Sequence, residues 1–216
     1  IDELKKTVLG LDWKRRARLI DLTLPRTGFI GGRKLKALAR TIMGDVDFGN
    51  LKIPFACVAT DVMTGEEVVI RQGPVLDAVR ASISLPIIFA VAKWQGRYLV
   101  DGVLVNPVPV NVLKDMGAGF IIAVNVIPRT MERMHADSQR GKQGFKEPNL
   151  FSVILQSTHI AVDSRLRASL EGADIVIEPH LESIGYADFH QCPECIRQGE
   201  LAARRLLPEI KRRLQG

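Results

Sequence analysis

The stretch Arg97-Tyr98-Leu99-Val100-Asp101-Gly102-Val103-Leu104-Val105-Asn106-Pro107-Val108-Pro109 decides the fold. It starts as an apolar strand, stops at an acid, passes a glycine and turns toward a helix. Asp101 therefore falls at the carboxyl end of a buried strand, where ligands collect in open α/β sheets. Gly102 reads as the residue supplying a backbone angle that a larger side chain resists. The pattern alone leaves two roles for Asp101: an acid facing a reacting group at the sheet edge, or a cap on the helix that follows.

Outward from this stretch, periodicity and turn residues set the elements. Ile53 to Thr60 reads as a central apolar strand, Met63-Thr64-Gly65-Glu66 as a turn, and Val68 to Arg71 as the hairpin partner. A short helix is expected over Val75 to Ser82. Strands are expected over Ile87 to Ala92 and Tyr98 to Val100, on either side of Gln95-Gly96. Gly28 to Gly32 reads as a loop before a helix over Arg33 to Met43 that Gly44 stops. Leu4 to Ile20 has helical spacing. Pro107 suits the first turn of a helix running to about Met116, and Phe120 to Val126 reads as the next buried strand. The polar stretch at about 129–147 has no apolar period and reads as a mobile loop or linker. Asn149 caps a long helix reaching about Glu171. Its Leu150, Val153, Ile154, Ser157, Ile160, Ala161, Ser164 and Ala168 recur at helical spacing. Ala173 to Glu178 is the last strand, and the closing helix covers about Glu194 to Leu214. This strand–helix–strand order predicts an α/β fold with a mostly parallel central sheet flanked by helices, in one domain over residues 1–216.

Of the 216 residues, 46% are apolar and 25% charged, as in an ordinary globular chain, and the net charge is +6. That excess suits an anionic surface without choosing between lipid and nucleic acid. No nucleic-acid motif is present and aromatic residues are 6%, so a nucleic-acid partner is not expected. Cys57 falls in an apolar strand. Cys192 and Cys195 read as exposed cysteines at a helix start, with a metal or redox role beside His190 as the alternative. An odd cysteine count without a paired framework points to a reducing, cytoplasmic setting. No signal peptide is visible. The longest apolar run, Ile83 to Ala92, contains Pro86 and is far shorter than the roughly 20 residues of a membrane helix.

Three segments carry a resemblance. Asp101-Gly102 with Asn106-Pro107-Val108-Pro109, Val79-Arg80-Ala81-Ser82-Ile83-Ser84-Leu85-Pro86, and Trp94-Gln95-Gly96-Arg97-Tyr98-Leu99 together resemble patatin-like phospholipases. The likeness runs from about Asp21 to about Arg205 and is closest to the bacterial and neuropathy-target-esterase-like branch. It implies a patatin-like α/β fold and a serine hydrolase acting on acyl esters of lipids or phospholipids. It also implies a Ser–Asp dyad in which Asp101 is the acid, with no metal and no cofactor. Val103 departs from the Gly or Ala usual at its place. Neither a Gly-x-Ser-x-Gly nor a glycine-rich oxyanion loop occurs in these residues; Gly31-Gly32 precedes a helix but lacks the rest. The chain therefore reads as the later portion of such a domain, incomplete on its N-terminal side. It would carry the aspartate while an upstream segment supplies the serine, and it would be inert alone. The alternative is a non-catalytic patatin-fold module that binds a lipid surface or a protein.

In a dyad the carboxylate itself takes the serine proton, which demands hydrogen-bond reach and enough burial to raise its proton affinity. His135, His159, His180 and His190 lack the setting of a triad. Ser82 and Ser84 read, with Arg80, as a structural platform beneath the site rather than as nucleophiles. Asn106 either bonds the turn presenting Asp101 or stays solvated. The closing helix carries Arg204, Arg205, Lys211, Arg212 and Arg213 opposite Leu201, Leu206, Leu207, Ile210 and Leu214. It reads as a solvated basic face over a packed apolar one, with peripheral contact to an anionic membrane as the other reading. A sheet short of its first strands would leave an open edge, to be met by another copy of the chain or by the docked upstream segment.

Overall fold

The computed structural model describes residues 2–10, 21, 28–127, 150–184 and 188–215. These fall into two compact units, Ile1–Asn106 and Pro107–Gly216.

The first unit holds α1 (Asp2–Leu9), β1 (Gly28–Ile30), α2 (Arg33–Met43), β2 (Cys57–Asp61), β3 (Glu67–Ile70), α3 (Val75–Ser82), β4 (Ile87–Phe89), β5 (Ala92–Trp94) and β6 (Arg97–Asp101). Its main sheet has the order β3-β2-β6-β5 and is antiparallel throughout. Two tight turns impose that direction on the outer pairs β2–β3 and β5–β6, because a turn of a few residues can only return the chain beside itself, while β2 and β6 meet from distant parts of the chain. In the first, the Asp61 carboxylate accepts from the Met63 amide at 2.9 Å and the Gly65 amide donates to the Asp61 carbonyl at 2.8 Å. In the second, Gln95 and Gly96 have φ of 46° and 80°, the paired left-handed angles of a two-residue hairpin.

The α/β class holds, but the expected mostly parallel sheet does not describe this four-stranded one. Parallel pairing among the described residues occurs in two smaller sheets, β1 with β4 and β7 with β8. Helices intervene between the partners of both pairs, as a parallel return requires. Gly28, expected in a loop, instead pairs with Ile87. A Cβ on Gly28 would collide with the Phe89 backbone. Ile87 to Phe89 is therefore not the hairpin arm the sequence suggests; that arm is β5, Ala92–Trp94, paired with β6. The expected start of the central strand also moves. Ile53 is 77% exposed, Pro54 has no amide to donate, and pairing begins at Cys57.

Helix α3 covers one face of the main sheet. Val75, Ala78 and Ala81 pack there with Phe48, Cys57, Ala59, Ile70 and Leu99. Cross-strand partners share a face, so Asp101, paired with Ala59, leaves its strand on this same side. Burial pushes the Cys57 thiol up to about 11, leaving a packing residue and not a nucleophile.

The second unit holds α4 (Val110–Asp115), β7 (Ile122–Val124), α5 (Leu150–Ser169), β8 (Ile175–Ile177) and α6 (Cys192–Gln215). Val108, Val110, Ile121, Ala123 and Leu166 form its core. The Asp174 carboxylate accepts from the Ile121 amide at 2.7 Å and closes the entrance of the β7–β8 pair. Helix α4 starts at Val110, three residues after Pro107. The stripe that recurs at helical spacing on α5 lies on its exposed side: Leu150 is 76% and Ile160 57% exposed, while Val162 and Leu166 are buried. Leu155, Val162 and Leu166 also recur at helical spacing, so two apolar stripes compete and periodicity alone picks neither. The 129–147 stretch, Asn149 and most of the Leu4–Ile20 segment lie outside the described residues.

Gly28→Ala is expected to force β1 away from β4. The Ala90 amide, which donates to the Ile30 carbonyl at 2.8 Å, should then exchange its hydrogen faster. Overpacking of this kind costs about 1–3 kcal/mol, which native-state hydrogen exchange reads directly.

Candidate active site

Strand β6 ends at Asp101, and Gly102–Leu104 coil at once into a 3-10 turn. Three bonds hold the acid. Its amide donates to the Ser84 carbonyl at 2.9 Å, and its carbonyl accepts from the Thr60 hydroxyl at 2.9 Å. Carboxylate Oδ1 accepts from the Val103 amide at 2.9 Å. The cap expected of an aspartate at this place is therefore present, and it occupies one oxygen. Among the described residues, Oδ2 accepts no hydrogen bond.

Gly102 is required for a different reason than expected. Its φ is not positive; a Cβ at this position would instead collide with the Val58 carbonyl. The turn lies so close to β2 that only a hydrogen fits. Val103 contributes through its backbone amide, which any residue other than proline supplies. Asn106 is buried rather than solvated. Its amide closes the turn on the Gly102 carbonyl at 2.9 Å, and its Nδ2 donates to Glu67 Oε1 on β3 at 3.1 Å.

Beneath the turn lies the platform expected of Arg80, Ser82 and Ser84. Arg80 Nη2 donates to the Gly31 carbonyl at 3.0 Å and the Ala90 carbonyl at 2.8 Å, while Nη1 reaches the Ser84 hydroxyl. Its guanidinium lies 5.5 Å from the centre of the Phe89 ring. Ser84 is fully buried, and its hydroxyl donates to the Arg80 carbonyl at 2.7 Å. The Ser82 hydroxyl donates to the Val58 carbonyl at 2.7 Å. Both hydroxyls are committed to structure. The sequence reading missed Asp21, whose buried carboxylate accepts from the Gly32 and Arg33 amides at 2.8 and 3.0 Å. An anion suits the first turn of α2, where amides point outward unpaired. Ten residues separate Asp21 from those amides, so no local pattern marks it. Burial lowers the Arg80 pKa, and the Asp21 charge acts in the opposite direction.

Burial dominates the chemistry of Asp101. It pushes the carboxyl up to about 6, against the opposing pull of the Val103 amide. A carboxylate in this range is mostly ionised at neutral pH yet far more basic than an exposed one. Among the described residues no group of three His, Cys, Asp or Glu can hold a metal ion. His159 lies on α5, and His180 faces Glu182 at 3.4 Å. His190 is on the turn before α6, and His135 lies outside the described residues.

The family model of patatin-like phospholipases matches residues 1–114, a span that includes the acid, its turn and the Arg80 platform. The chain belongs to the patatin-like phospholipase family. An uncharacterized NTE family protein of Mycobacterium tuberculosis is 32% identical over 126 residues, 58% of this chain and 35% of the relative. A second from the same organism is 26% identical over 207 residues, 88% of this chain and 35% of the relative. The neuropathy target esterase of Drosophila melanogaster is 32% identical over 111 residues, 50% of this chain and 8% of that protein. The patatin-like chain thus spans about a third of the length of the mycobacterial relatives it matches.

The raised carboxyl has a stability sign. Between its unfolded value of 3.8 and about 6 the folded chain holds a proton that the unfolded chain has released. Stability from this group is therefore full below the lower value and is lost as pH rises to the upper one. Asp101→Asn keeps the acceptor for Val103 and removes this dependence. Its stability relative to the parent should be higher at pH 8 than at pH 4, by on the order of 2 kcal/mol. Carboxyl-carbon NMR should place the Asp101 midpoint near 6.

Proposed function

We propose that Asp101 is the base of a lipid acyl-ester hydrolase whose nucleophilic serine comes from a segment outside these residues. The observation that carries this reading is the state of one carboxylate. It is buried, raised to about 6, fixed through Oδ1 and, among the described residues, without a hydrogen bond at Oδ2. Membership in the patatin-like phospholipase family supports the substrate class, and the printed name of the fly relative, an esterase, supports the reaction class.

In the first half-reaction the Asp101 carboxylate takes the serine proton as the serine oxygen bonds to the acyl carbon. The carboxyl then returns that proton to the departing alcohol. In the second, the carboxylate takes a proton from water, hydroxide adds to the acyl carbon, and the proton passes back to serine as the fatty acid leaves. Asp101 starts and ends ionised, so the cycle balances without a histidine. The backbone bonds to Ser84 and Val103 hold the acid in place throughout, and Gly102 lets it stand at the edge of the sheet.

The test joins the upstream coding sequence to this chain and measures release of fatty acid from phospholipid and short-chain esters. Asp101→Asn should lower turnover by about 10³-fold with little change in KM. Turnover should rise with pH through about 6, the range in which the carboxyl loses its proton. These residues alone should release no fatty acid. Unaltered turnover in the Asn variant sinks the proposal and favours the non-catalytic module.

A further inference from the structure

Helix α6 is 24 residues long, and no residue on it is fully buried. Its packed side is narrow. Ala202, Ala203, Leu206, Glu209 and Ile210 are half-buried at helical spacing, and Arg213 donates to the Asp174 carbonyl at 2.9 Å beside β8. The apolar side expected from the sequence is therefore split. Leu206 and Ile210 turn inward, while Leu201, Leu207 and Leu214 are 36%, 45% and 60% exposed.

Arg204, Leu207, Lys211 and Leu214 follow one another at three, four and three residues, so they share one stripe of the helix. The stripe alternates cation and leucine over about 15 Å. The cations on this helix are not equivalent. Arg212 and Arg213 are paired with Glu209, each at 2.6 Å, and Arg197 with Glu194 at 2.6 Å. Arg204, Arg205 and Lys211 have no ion pair among the described residues.

We propose that this stripe of α6 docks the protein on an anionic lipid surface. Lys211 and Arg204, with Arg205 beside them, meet headgroup charge, while Leu207 and Leu214 enter the acyl boundary. A leucine between two unpaired cations suits such a boundary, where an apolar layer lies directly under a charged one. The stripe is too short and too charged for insertion. Among the described residues no helix is long and apolar enough to cross a membrane. This surface goes beyond the proposed hydrolysis and does not depend on it, because binding is read without turnover.

The experiment is co-sedimentation with vesicles of phosphatidylcholine alone and of phosphatidylcholine mixed with phosphatidylglycerol, at low and high salt. The parent chain should bind the mixed vesicles, bind the neutral ones weakly, and be released by salt. The double variant Arg204→Gln/Lys211→Gln should bind mixed vesicles about 30-fold more weakly. Leu207→Ser/Leu214→Ser should lose about tenfold while keeping the salt response. All four side chains face solvent, and circular dichroism confirms that the helix is intact. Asp101→Asn should bind like the parent. No preference for mixed vesicles, or equal binding by the parent and the glutamine variant, overturns the proposal. So does complete displacement by duplex DNA in a manner that depends on the same two cations, which makes the stripe a nucleic-acid surface instead.

Discussion

A single backbone carbonyl, that of Val58, constrains the arrangement around Asp101. The Ser82 hydroxyl donates to it from the end of α3, and Gly102 lies so close that no side chain fits between. These contacts fix two distances together: helix to sheet, and turn to sheet. Asp101 is the residue between β6 and that turn, so its position follows from them. Its amide and carbonyl are tied to Ser84 and Thr60. The carboxylate therefore stays buried without moving the backbone that carries it. Burial, and not a neighbouring charge, is the dominant cause of its basicity.

The support beneath has the same character. Arg80 is a partly desolvated cation whose fork is spent on three neutral oxygens: two backbone carbonyls and a serine hydroxyl. Lysine cannot reproduce such a fork, since its three donors diverge from one point. Asp21 sits near enough to favour the charge and is itself held by the first amides of α2. A buried ion is costly unless its hydrogen bonds are satisfied, and here they tie β4, the start of α2 and the end of α3 together. The Ser84 carbonyl that receives the Asp101 amide belongs to this cluster. Rigidity thereby reaches the acid through the backbone.

The second unit differs in economy. Its core is small, and much apolar surface stays in solvent: Leu150, Val153, Ile154 and Ile160 on α5, and Ile122 and Val124 on β7. Helix α6 adds Leu207 and Leu214. On α6 cations without an ion pair among the described residues alternate with exposed leucines along one stripe.

The sequence by itself settled what depends on neighbours in the chain. A continuous apolar run ending at Asp101-Gly102 marked the strand and its terminal acid. The Gln95-Gly96 pair gave the hairpin, and Val75 to Ser82 gave a helix with those bounds. The segment from Arg80 to Ser84 was recognisable as a platform because its residue types are donors and acceptors with few other uses. Tertiary structure alone decided the rest. It chose which of two apolar stripes on α5 faces inward, paired Ile87 with Gly28 rather than with the next hairpin, and gave Gly102 a steric reason in place of a torsional one. The antiparallel pairing of β2 with β6 and the contact of Asp21 with α2 were settled there too. Each of these depends on groups far apart in the chain meeting at van der Waals or hydrogen-bond distance. Local propensity carries no information about such meetings, because the energy that selects them exists only once the partners are packed.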